Sequence, residues 1–258
     1  MKKYILNILI FILFTSLSNS QNLDSLYVSR INDTILSKYL NEKRSIEIQL
    51  PRSYDVDLDK KYPLMIVLDG DYMFNIVAGS VDYLSYWGDI PENLIVGINQ
   101  KDTRFKDSSV LDNITHTPIT STASFYDFIV NEVIPYFSKN YRISKFRVIL
   151  GQERTANFAN FFLLKKNPVF QAVISISPKM TNNMNSYLSE NLSKTNSKII
   201  YTLSSSKKDF ESIYKNVADL KNSLDSINNK NLKFESLIFE EENHYILPSL
   251  SVPKSIRS

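Results

Sequence analysis

The stretch "RVILGQERTANFANFFLLKKNP", residues 147–168, decides how the rest of the chain is read. It has the outline of a β-strand, a sharp glycine-led turn and a helix. The turn itself is Gly151-Gln152-Glu153-Arg154-Thr155. A buried strand that passes through one glycine into a helix is a unit of α/β architecture, so the flanking sequence should repeat the alternation.

It does so in both directions. "RSIEIQLPRSY" alternates Ile46, Ile48 and Leu50 with polar residues, as a half-buried strand does, and Pro51 ends it. "YPLMIVLDGDYMF" carries a continuous apolar run from Leu64 to Leu68, stopped by the turn signal Asp69-Gly70. Such a run suits a parallel strand covered on both faces, and "PENLIVGINQ" supplies another. "SFYDFIVNEVIPYFSKNY" spaces Phe125, Phe128, Ile129, Val133 and Phe137 as a helix, with Ser124 as N-cap. After the opening stretch come the strands "QAVISIS" and "SKIIYTLSSS", the amphipathic helix "DFESIYKNVADLKNSLDSI" and a last strand, "LKFESLIFEEENHY". The expectation is an α/β fold with a mostly parallel sheet and helices on both faces. Ligand sites in such sheets lie beyond the carboxyl ends of the strands, here just after Leu68, Leu150, Leu203 and Phe239.

Composition bounds the function. The chain opens with two lysines, an apolar run to Phe14 and small polar residues, the pattern of a secretory signal peptide over residues 1–20. The run is shorter than the ~20 residues of a comfortable bilayer span, and no later segment is apolar enough to cross one. Residues 21–258 are expected to form a single domain, placed in the periplasm, at the cell surface or outside the cell. There is no cysteine, so no disulfide framework. Without Lys2 and Lys3 the balance is 28 basic to 27 acidic residues, a net of +1, which argues against nucleic acid as a partner. Neither a cofactor nor a metal is expected.

The ordered pieces "IQLPRSYD", "YPLMIVLDGDYMF", "IPENLIVGINQKDTRFKD", "FIVNEVIPYFSKNYRIS", "NPVFQAVISISPKM" and "ENHYILPSL" resemble an esterase family of the α/β-hydrolase fold. That family includes esterase D and the enterochelin (trilactone siderophore) esterases. The resemblance runs from about Ser45 to about Leu250 and implies an α/β-hydrolase fold without a separate cap domain. It also implies a nucleophile elbow of the form G-H-S-x-G-G, and there the chain departs. Gly151 is kept, Gln152 replaces histidine, Glu153 replaces the nucleophile, and Thr155 and Ala156 replace the two closing glycines. Small residues let strand and helix approach closely at such an elbow, and β-branched Thr155 is expected to crowd it.

The remaining site residues follow from chain order: nucleophile, acid, histidine. His244, one of only two histidines, stands where the family places its base. Asp209 is the expected acid, with Glu211 as second choice. Asp209 reads equally well as a cap of the following helix. The oxyanion hole would use the backbone N–H of Arg154 and one near Asp71 or Tyr72. His116 is read as structural, and the resemblance makes Ser177 a packing position; Ser204 and Ser206 follow the strand meant for the acid, so as substitute nucleophiles they would face the site from the wrong side of the histidine. Elbow carboxylates do serve as nucleophiles in α/β-hydrolases that act on haloalkanes and epoxides, but Glu is a methylene longer, and attack on an ester would give an anhydride. A Glu153–His244 or Glu153–Arg154 ion pair would instead take the site out of use. The resulting expectation is a pseudoenzyme that binds a small-molecule ester, a siderophore-like ligand, a glycan or an envelope protein partner. The alternatives are an active ester hydrolase with an atypical elbow, and a carboxylate-nucleophile enzyme on non-ester substrates.

Overall fold

The computed structural model describes residues 28–109, 112, 114, 119–181 and 183–258. The expected signal segment 1–20 and His116 lie outside the described residues. Among these, eight strands form one sheet: β1 (Arg30–Ser37), β2 (Glu42–Gln49), β3 (Tyr62–Val67), β4 (Leu94–Ile98), β5 (Ile143–Gln152), β6 (Ala172–Ile176), β7 (Ile199–Lys208) and β8 (Leu232–Asn243). Their spatial order is β1-β2-β4-β3-β5-β6-β7-β8. The first two strands pair antiparallel with their neighbours, and every pairing from β4 to β8 is parallel.

The apolar runs dictate this arrangement. β4 and β6 are buried at every position, and β3 at all but one. Successive side chains point to opposite faces, so each run divides between two cores. Leu64, Ile66, Leu94, Val96, Ile149 and Val173 join one; Met65, Val67, Ile95, Val148, Leu150 and Ile174 join the other. The second core is closed by α1 (Gly70–Tyr86), through Met73, Phe74 and Val77, together with the C-terminal helix Leu247–Ser255. The first is closed by the helical segment 120–140 and by helices that follow β5, β6 and β7. Each large apolar side chain fully buried here contributes about 1.5–3 kcal/mol. No helix among the described residues is long and apolar enough to cross a membrane.

Two local expectations change. Ser124 is not a cap: the helix begins at Thr120, one turn earlier, with Ile119 preceding it. A π-helical turn over Ile129–Val133 interrupts the segment just ahead of Pro135, whose ring nitrogen has no hydrogen to donate. α1 has its own requirement. A side chain at Gly70 would put a Cβ 2.8 Å from the Gly97 carbonyl carbon, so the helix starts in direct backbone contact with β4.

Candidate active site

The expected residues gather at the carboxyl ends of β3, β5, β7 and β8. Glu153 joins β5 to α2 (Arg154–Phe161). Its backbone has φ 56° and ψ −107°. An L-residue there is strained by about 1–3 kcal/mol and persists only where its surroundings fix it. Those surroundings are explicit. The Glu153 N–H donates to Ile176 O on β6 (3.0 Å), and its carbonyl accepts from Asn157 N–H (3.1 Å) and Lys179 N–H (3.0 Å). Gly151 is obligatory, because a Cβ at that position would lie 2.5 Å from the Thr155 carbonyl carbon.

Thr155 corrects the expectation of crowding. It is fully buried, yet the elbow keeps its shape because the hydroxyl is put to use. Thr155 Oγ1 accepts the Gln152 N–H (3.0 Å) and lies 2.7 Å from Asp69 Oδ2 as a donor. The side chain that should obstruct the turn ties it to β3.

The partner of Glu153 is Arg104, six residues beyond β4. Arg104 Nη1 sits 2.8 Å from Glu153 Oε2, its Nε 2.8 Å from Asp69 Oδ1, and its Nη2 donates to Gln152 O at 2.9 Å. One guanidinium thus spans the gap between the β3 loop and the elbow. Asp69 is wholly buried and takes a further bond from the Tyr72 hydroxyl (2.9 Å). Burial pushes the Asp69 carboxyl up, against the pull of Arg104, Thr155 and Tyr72. Burial also works against the Arg104 charge, but Asp69 and Glu153 outweigh it and hold the guanidinium protonated. The short helix that carries Arg104 is anchored in turn. Buried Asp107 meets Arg44 Nη2 (3.2 Å), Gln100 Nε2 (3.2 Å) and Thr103 Oγ1 (2.7 Å).

The two contacts expected for Glu153 fare differently. Arg154 Nε is a looser neighbour at 3.8 Å, while Glu153 and His244 form no ion pair. The two side chains do line the same cavity of about 320 Å³, together with Tyr72, Arg104, Gln152 and Tyr245.

The other half of the site is complete. Asp209 follows β7, His244 follows β8, and His244 Nδ1 lies 2.8 Å from Asp209 Oδ1. Asp209 Oδ1 also accepts the Phe210 N–H (2.7 Å), and Oδ2 accepts from the hydroxyls of Ser177 and Ser205, the latter at 3.1 Å. Burial would raise this carboxyl, but the bonds from His244, Ser177 and Phe210 prevail and hold it below the usual range. The cap reading of Asp209 gives way, since Phe210 precedes the helix Glu211–Asp225 and no side chain caps it. Glu211 lies in the exposed first turn of that helix. Ser177, read as packing, orients the acid, and its φ of 46° marks it as specially placed. Gln152 holds the histidine loop by donating from Nε2 to His244 O (3.1 Å).

The oxyanion positions are only partly available. Arg154 heads its helix as expected and Asp71 lies in the first turn of α1, but the Tyr72 N–H donates to Asp69 O (3.1 Å). An imidazole hydrogen-bonded to a buried carboxylate therefore shares its cavity with a second carboxylate already bound by an arginine.

A family model described as "Putative esterase" matches residues 37–233. Solved structures with the same fold include an uncharacterised protein from Capnocytophaga ochracea, at TM-score 0.79 and 21% identity, covering 88% of this chain and 63% of that one. An IroE-like serine hydrolase from Shewanella oneidensis follows at 0.78 and 21%, covering 89% and 79%. The siderophore hydrolase EstB from Aspergillus nidulans superposes at 0.71 with 14% identity, covering 89% and 94%. A search of curated protein sequences finds no match. The sheet is that of an α/β-hydrolase-like protein.

Proposed function

Because the chain belongs to the putative esterase family, we propose that it is an exported esterase-fold protein whose elbow binds rather than hydrolyses. One observation carries this reading: the strained elbow position is filled by Glu153, clamped to Arg104 at 2.8 Å. An ester hydrolase of this type needs a hydroxyl there that His244 can deprotonate. The carboxylate has no proton to give, and its approach to an electrophile would break a charge-assisted pair.

The cavity suits a small ligand. Exposed Tyr72 and Tyr245 give it an aromatic lining, and the ring centroids of Tyr245 and Phe210 lie 5.5 and 4.9 Å from that of His244. The siderophore hydrolases among the structural neighbours make an ester-bearing, siderophore-like molecule the first ligand to try. Fluorophosphonate labelling tests the reading, because the reagent requires an activated serine. The purified chain should stay unlabelled, and Glu153→Ser should become labelled. Labelling of the native chain would overturn it.

One feature favours a second reading, an active hydrolase with an atypical elbow: the His244–Asp209 pair keeps a 2.8 Å bond and its full set of supports. In that case ester turnover by the native chain would be lost on His244→Ala.

A further inference from the structure

A second cavity, about 120 Å³, sits beside the elbow and shares no lining residue with the first. Ser108, Ser109, Arg154, Asn157, Lys179, Met180 and Thr181 enclose it. Its chemistry is one-sided. Two cations face it with no carboxylate in the lining. Lys179 is exposed and has no ion-pair partner among the described residues, while Arg154 donates from Nη1 to Ser109 Oγ (3.2 Å). The walls add polar groups left unanswered. Asn157 is 3% exposed, and among the described residues its Oδ1 has no hydrogen-bond partner; the buried Thr181 Oγ1 has none either. A buried polar atom without a partner costs about 1–3 kcal/mol, so such atoms gathered around one cavity suit a polar ligand.

We infer that this cavity is a binding site for a tetrahedral oxyanion group, phosphate or sulfate. Lys179 and Arg154 supply its charge, and Ser109, Thr181 and Asn157 supply directed donors. The Asn157 amide can present either end, because a half-turn about its last bond exchanges Oδ1 for Nδ2. Donors come from three separate segments, around Ser109, Asn157 and Thr181, which suits a guest that accepts bonds in several directions. Arg154 has one acidic neighbour within ion-pair distance among the described residues, Glu153, whose Oε1 stands 3.8 Å from Arg154 Nε while its Oε2 is committed to Arg104. Arg154 can therefore turn toward a guest without unmaking the elbow clamp. This site stands whether or not the elbow is catalytically silent.

Titration calorimetry of the full chain with inorganic phosphate, inorganic sulfate and acetate, at fixed ionic strength, tests it. Phosphate or sulfate should bind saturably with a Kd on the order of 1 mM, acetate at least about tenfold more weakly. Lys179→Ala, at an exposed position, and Thr181→Val should each weaken binding by about fivefold or more, Lys179→Ala leaving Tm in anion-free buffer unchanged and Thr181→Val not lowering it. Absence of saturable binding by either tetrahedral anion, equal binding of acetate, or unaltered affinity in Lys179→Ala would overturn the assignment.

Discussion

The two halves of the site have kept different things. Around His244 and Asp209 the expected side chains meet in a 2.8 Å hydrogen bond, supported by Ser177, Ser205 and Gln152. At the elbow only the backbone is kept. Glu153 sits at φ 56°, the kind of strained conformation that presents a nucleophile, while its side chain is tied to Arg104. Backbone geometry at such a turn is set by neighbours: Gly151, the Ile176 carbonyl and the N–H groups of Asn157 and Lys179. It does not depend on which side chain the turn presents.

The sharpest way to break this contrast is to restore the hydroxyl. If the backbone is serviceable and only the side chain is wrong, Glu153→Ser should raise p-nitrophenyl acetate hydrolysis by about a hundredfold or more. No gain in initial rate would mean that the elbow has been remodelled beyond its side chain.

Next in size is the clamp. Arg104→Ala leaves Asp69 buried without its cation and should cost about 3 kcal/mol, measured by urea denaturation. Arg104→Lys should recover less than half, since one ammonium cannot reach Asp69, Glu153 and the Gln152 carbonyl as a fork does. A change within error for both would show that Arg104 is a surface ornament of the site.

Gly151→Ala probes the backbone alone. The contact of 2.5 Å it would make with the Thr155 carbonyl carbon cannot relax into side-chain space, so a loss of about 2 kcal/mol is expected in the same assay. The smallest effect belongs to the intact half. Asp209→Asn should cost about 1 kcal/mol at neutral pH by removing charge-assisted bonds. Its sign with pH is fixed. The folded carboxyl lies below its ordinary value, so the contribution is full above about pH 4 and fades as pH falls through the lower folded value. Denaturation curves of native and variant chains should converge in acid; a gap that persists below that range would contradict the shift.

Much of the fold was legible because the strands are apolar on both faces. Runs such as Leu64–Leu68 and Ala172–Ile176 exclude most other placements. The sequence carries no plain signal for the helix Gly70–Tyr86 or for the edge strand Arg30–Ser37, whose exposure alternates while its residue types do not: Asp33 and Ser37 turn inward and Leu36 outward. Chain order and the ends of β7 and β8 led to Asp209 and His244. Arg104 was hidden: it is one cation in the polar run "QKDTRFKD", and its target lies 49 residues away. Long-range pairing of charges leaves no period in a sequence. Thr155 was misjudged because volume was weighed without its hydroxyl, which finds both a donor and an acceptor in the turn.

The most direct test of a clamped, non-reacting Glu153 is the rate of p-nitrophenyl acetate hydrolysis by the native chain beside Glu153→Ala. Both should run at the same rate, close to the buffer background. A native rate well above background that collapses in the variant would contradict the account, because it would make that carboxylate a participant in the chemistry.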